Sequence, residues 1–124
     1  MILKDVSSAE LEIMKIIWSA GKPVIITDIW RGIQGHDWTY QTVQTFVNRL
    51  NAKGYIKIVG KQVRSYLYEP AFSRAEYIVL SRGELLDGSD GASIADVLKL
   101  MIERGMVDEQ QLAKVRETID GTAN

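Results

Sequence analysis

Between Thr39 and Tyr68 the hydrophobic period of the chain switches from helical to two, and that change restricts the fold more than any other feature. Val43, Phe46, Val47 and Leu50 recur at i, i+3, i+4 and i+7, the spacing of one buried helix face. Thr39 is placed to cap that helix and Gly54 to stop it, near Lys53. Then the period drops to two. Tyr55-Ile56-Lys57-Ile58-Val59 is rich in β-branched and aromatic residues, and Val63-Arg64-Ser65-Tyr66-Leu67-Tyr68 alternates. The pair reads as a hairpin turning at Gly60-Lys61-Gln62 and closed by Glu69-Pro70.

Two shorter helices precede this unit. Ser7 and Glu10 form a capping box, and Leu11, Met14 and Trp18, widened by Ile17, make a helical stripe. Ile13 and Ile16 fall on the other side, so this helix is apolar almost all round and is expected to be buried on two faces. Gly21-Lys22-Pro23 ends it. Val24-Ile25-Ile26 reads equally as a strand, but Ile26, Ile29, Trp30 and Ile33 keep helical spacing, which favours a short helix ending at Gly35.

Beyond the hairpin, Ser73 caps a helix running to about Leu86, and Asp87-Gly88-Ser89-Asp90-Gly91 breaks the chain. Ile94, Val97, Leu98 and Met101 define a further helix ending near Gly105. Asp108 caps a last one, with Leu112, Val115 and Ile119 on one face. The expected fold class is α+β, mainly α. A winged helix-turn-helix of three helices plus a β-hairpin wing spans residues 1–72, followed by a C-terminal helical dimerisation segment at 73–124. Those two apolar stripes are too short to bury on themselves. Either they fold back on the N-terminal domain, where Ile13 and Ile16 could receive them, or they pair with a second copy; pairing is preferred, with Ile94, Val97, Leu98, Met101, Leu112, Val115 and Ile119 as the candidate residues.

Placing Val43, Phe46, Val47 and Leu50 inward turns Gln41, Gln44, Thr45 and Asn48 outward, with Thr42 and Arg49 on a flank and Thr39 and Tyr40 at the start. Solvated helix faces usually mix Glu with Lys; this one carries amides and hydroxyls and no acid. Gln and Asn pair with adenine edges, and Thr can touch a thymine methyl. Arg49 and Lys53 suit phosphates, as do Lys57, Lys61, Gln62 and Arg64 of the hairpin. A lysine-bearing hairpin also protects a sheet edge against aggregation, so the wing alone decides nothing. Charge adds weight. The net charge of −1 divides into +4 for residues 1–75, with ten Lys/Arg and six Asp/Glu, and −5 for residues 76–124, with five and ten. The expected partner is a double-stranded DNA operator, bound by a homodimer in the cytoplasm. The alternative is a winged-helix protein-interaction module in a larger complex.

Other functions find few residues. The chain has no cysteine, which excludes disulfides, thiolate metal sites and cysteine nucleophiles. His36 is the single histidine, and no nucleophile–base set or phosphate loop is present, so neither a cofactor nor an enzymatic activity is expected. Asp87 and Asp90 lack the spacing and terminal Glu of a calcium loop. Trp18, Trp30 and Trp38 could stack single-stranded bases, but Trp18 and Trp30 fall at core spacing and Trp38 at a helix entry. No signal peptide or membrane span is expected from the sequence.

Several of these residues carry a family resemblance. Ser8-Ala9-Glu10 with Met14 and Trp18 resembles the opening helix of the BlaI/MecI penicillinase-repressor family. Thr42-Val43-Gln44-Thr45-Phe46-Val47-Asn48-Arg49-Leu50, then Lys53-Gly54, resembles that family's recognition helix, and the hairpin ending in Tyr66-Leu67-Tyr68 its wing. The likeness runs from about Ser7 to Tyr68 and continues weakly through Asp96-Val97-Leu98-Lys99-Leu100 and the last helix. It implies a homodimeric repressor on a dyad operator, with a sensor-linked protease as a further partner. The family's cut falls between an Asn and a Phe at positions matching Lys99 and Leu100, so a protease specific for that pair is not expected to cut here. A related copper-responsive branch uses C-terminal cysteines, which this chain lacks.

Overall fold

The structure is a computed structural model that describes residues 3–82 and 93–122. The chain divides into two compact units, Met1–Ser81 and Arg82–Asn124. The division falls after Ser81 and not at residue 72, because the helix after the hairpin packs on the first unit. Tyr77 lies against Trp18 with ring centroids 5.4 Å apart and against Tyr55 at 6.1 Å.

In the first unit the order is α1 (Ser8–Ala20), α2 (Ile26–Gly32), α3 (Tyr40–Ala52), β1 (Ile56–Gln62), β2 (Ser65–Pro70) and α4 (Arg74–Arg82). The capping box of α1 forms as the sequence predicts: the Glu10 amide donates to Ser7 Oγ at 3.1 Å, and the Ser7 amide to a Glu10 carboxylate oxygen at 3.3 Å. Gly21 ends the helix at φ 66, a left-handed conformation that glycine adopts without strain. Ile13, Met14 and Ile17 are fully buried, while Leu11 and Trp18 pack at the margin of the core. The Trp18 indole N–H donates to the Phe72 carbonyl at 2.9 Å. Both faces of α1 are thus occupied, as its all-round apolarity requires.

Both readings of Val24–Ile26 contain part of the answer. Val24 makes an isolated bridge to Tyr68, exchanging backbone hydrogen bonds of 2.9 and 2.8 Å, and α2 then begins at Ile26. That bridge fastens the helix-turn-helix to the base of the hairpin. α2 ends at Gly32, short of the expected Gly35.

The hairpin turn also lies elsewhere than expected. β1 runs through Gly60-Lys61-Gln62 to pair Gln62 with Ser65, so the turn is Val63-Arg64. Gly60 instead follows a register shift between Ile58 and Gly60, the bulge position glycine also favours. Val63 pays for the two-residue turn with φ 58, costly for a β-branched residue, and its side chain is 92% exposed at the tip. The wing is therefore longer than the sequence suggested, and Arg64 sits at its tip.

The second unit contains α5 (Ile94–Glu103) and α6 (Glu109–Thr122) among its described residues. Ser93 and Asp96 cap α5 reciprocally, and Asp108 and Gln111 do the same before α6. Neither helix buries a residue. The Asp87–Gly91 break, with its weak calcium-loop signal, lies outside the described residues, as does the end of the helix predicted to reach Leu86.

Candidate nucleic-acid interface

Thr39 opens α3 as its N-cap, its hydroxyl oxygen accepting from the Thr42 amide at 3.1 Å and lying 3.0 Å from the Thr42 hydroxyl. The helix buries Val43, Val47 and Leu50. Phe46 is half-buried and meets Trp38 edge-on at 5.2 Å. Gln41, Thr45, Asn48 and Arg49 are exposed, with Thr42 and Gln44 half-buried beside them. The polar face is partly wired within the helix: Gln44 Nε2 donates to Asn48 Oδ1 at 2.9 Å, and the Thr45 hydroxyl to the Gln41 carbonyl at 3.0 Å.

An aromatic cluster shapes the entry to α3, and sequence spacing assigned only part of it. His36 is exposed and stacks on Trp38 at 4.0 Å with 7° between planes. The Trp30 indole N–H donates to the Trp38 carbonyl at 3.0 Å, and Trp30 meets Tyr40 edge-on at 5.8 Å. Trp30 is 40% exposed, so it is not the core residue its spacing suggested. It props the loop that delivers Thr39 and Tyr40.

The cations separate into two groups. Lys53 was expected to meet phosphate, but its Nζ lies 2.8 and 3.0 Å from the Glu10 carboxylate oxygens and 2.8 Å from the Asp5 carbonyl. Glu10 is 3% exposed, so Lys53 is committed to neutralising a buried charge. Burial raises the Glu10 carboxyl's pKa, but the hydrogen bonds from Lys53 and Ser7 outweigh that and hold it below the ordinary 4.5. Lys57 pairs with Glu69 across the hairpin at 3.3 Å. Lys61 leans over the Tyr66 ring at 5.4 Å. Among the described residues, Arg49 and Arg64 are exposed and in no ion pair.

Among the described residues no group of three or more His, Cys, Asp or Glu is placed to hold a metal ion, and no helix is long and apolar enough to cross a membrane.

The family model of the penicillinase repressors matches residues 6–121. The chain belongs to that family. It is a family of transcriptional repressors, not of enzymes. The chain is 22% identical to the penicillinase repressor of Bacillus licheniformis over 122 residues, covering 98% of this chain and 94% of that protein. It is 23% identical over 120 residues to an uncharacterised 16.5 kDa protein of Latilactobacillus sakei, covering 96% of this chain and 81% of the relative. Among solved structures it resembles the Bacillus licheniformis BlaI monomeric form in complex with the blaP half-operator. That match has a TM-score of 0.51 and 28% identity, and covers 61% of this chain and 92% of the other. Three helices and a hairpin in this order are a winged helix-turn-helix.

Proposed function

We propose that this DNA-binding repressor acts as a homodimer that grips a dyad operator, with α3 in the major groove and the wing on the flanking backbone. The exposed face of α3 carries the proposal. Gln41, Thr45 and Asn48 are presented together with Arg49 and without an acid, on a helix whose opposite face is locked in the core. A major groove admits one helix, and these side chains match what base edges offer there. The relative solved in complex with the blaP half-operator supports operator binding. Thr39, Tyr40 and Thr42 belong to this surface through the cap and the entry loop. Lys61, Gln62 and Arg64 extend it along the wing. Lys53 stands behind it.

Pairing is supported by the second unit. In the single chain Ile94 is 55% exposed, Leu98 42%, Val115 45% and Ile119 58%. Together with Val97, Met101 and Leu112 they form the apolar stripes of two helices that bury nothing. Covering such a side chain is worth roughly 1.5–3 kcal/mol, enough over several residues per protomer to offset the entropy of association.

Base reading and phosphate gripping are separable by mutation. Against a duplex selected by the full chain from a randomised pool, Gln41→Ala or Thr45→Ala should cost about 1–3 kcal/mol and relax base preference. Arg49→Ala should weaken selected and random duplexes alike. If both kinds of change act equally on both duplexes, α3 is not the reader.

A further inference from the structure

We infer that Gln44 is an adenine-reading residue of α3 and that Asn48 is the residue that positions it. The inference rests on the docking proposed above and specifies which side chain does what within it.

The argument starts from the hydrogen-bonding capacity of a primary amide, which has two N–H donors on nitrogen and one carbonyl acceptor. Two-point recognition of adenine uses the carbonyl oxygen and one N–H of a single amide, the first accepting from N6 and the second donating to N7. Gln44 Nε2 gives one N–H to Asn48 Oδ1 at 2.9 Å. The other N–H and the carbonyl oxygen remain, the two kinds of group that adenine requires. At Asn48 the same bond turns the carbonyl toward Gln44, one helical turn back. That bond takes one of the two lone pairs of the Asn48 carbonyl oxygen.

The clamp also acts before DNA arrives. A glutamine side chain turns about three bonds, and ordering it on binding has an entropic cost that pre-organisation removes. Residues four apart on a helix face are close enough to hold each other this way. Neighbouring hydroxyls do not compete for the role. Thr45 has spent its proton on the Gln41 carbonyl, which leaves its methyl for the groove, and Thr39 and Thr42 are engaged in the cap. Gln41 is exposed with no such clamp, so it can contact bases with less discrimination.

The test uses the full chain and the duplex it selects from a randomised pool. Each adenine of the bound site is replaced in turn by 7-deazaadenine, which lacks the N7 acceptor. Wild type should lose about ten-fold or more at one adenine per half-site, and Gln44→Ala should abolish that sensitivity. Asn48→Ala should reduce the sensitivity at the same adenine. Asn48→Asp keeps an acceptor for the Gln44 N–H, so it should retain the discrimination ratio even as its charge weakens binding to every duplex. Both positions lie on the polar face of α3, and circular dichroism would verify that the variants stay folded. If Asn48→Ala removes sensitivity at a different adenine, or leaves the ratio at the Gln44 adenine intact, Asn48 is not the clamp and the inference is overturned. A full chain that shifts no duplex at all overturns the DNA reading itself, and this inference with it.

Discussion

Lys53→Met is expected to lower the unfolding free energy by about 3 kcal/mol and the melting midpoint by roughly 10–20 °C. The substitution keeps most of the apolar stem but removes the cation held against Glu10, whose side chain is 4% exposed. An unpaired buried carboxylate is among the costlier defects a small domain can carry. Glu10→Gln should cost less, because Lys53 is 26% exposed and its ammonium can turn to water. The acid branch gives a second readout. The paired Glu10 carboxyl has its pKa lowered from 4.5, so its contribution to stability is full above that value and is lost as pH falls through the lowered one. In Lys53→Met the carboxyl loses its partner and burial pushes its pKa up, so protonation relieves the uncompensated charge and the gap between wild type and variant should narrow as pH falls. Melts across the acid range for wild type and variant would check this. Equal midpoints at neutral pH would mean that the pair holds nothing.

Why that latch was illegible follows from its geometry. Glu10 announced itself as half of a capping box, which it is, and Lys53 as a cation at the end of a polar helix face. Local patterns cannot bring together residues 43 positions apart. What the sequence did expose was local. The Ser7 cap, the Thr39 cap, the buried stripe of α3 and the stop before Gly54 all depend on neighbours within a few residues. The hairpin shows the limit even of local reading. Glycine marks turns and bulges alike, so Gly60 drew the turn to itself, whereas the backbone turns at Val63-Arg64, residue types that rarely signal one. The amide face of α3 was visible from phase alone, but the bond between Gln44 and Asn48 was not, because phase gives a direction and not a partner.

The second large effect concerns pairing. A chain ended after Ser81 keeps the whole core of the first unit and loses α5 and α6. It should fold, sediment as a monomer, and bind the selected duplex at least about 100-fold more weakly than the full chain. The reason is effective concentration: once one half-site is held, a tethered second recognition helix binds as if at high local concentration, a gain of 10²–10⁴ without any new contact. The full chain should sediment as a dimer at tens of micromolar. A full chain that stays monomeric there, or a shortened chain that binds as tightly, would refute pairing through the second unit.

The most direct measurement of the central claim, that α3 and the wing bind duplex DNA, is the salt dependence of the equilibrium. Each phosphate neutralised by a cation releases counterions, so log K should fall linearly with log salt at about −0.9 per contact. Arg49, Lys61 and Arg64 are the exposed cations of α3 and the wing that enter no ion pair among the described residues, three per protomer. With about 6 phosphates met by a dimer the slope should be near −5. Lys53→Met should leave it unchanged, while Arg49→Ala should make it shallower. A slope near zero would contradict the claim.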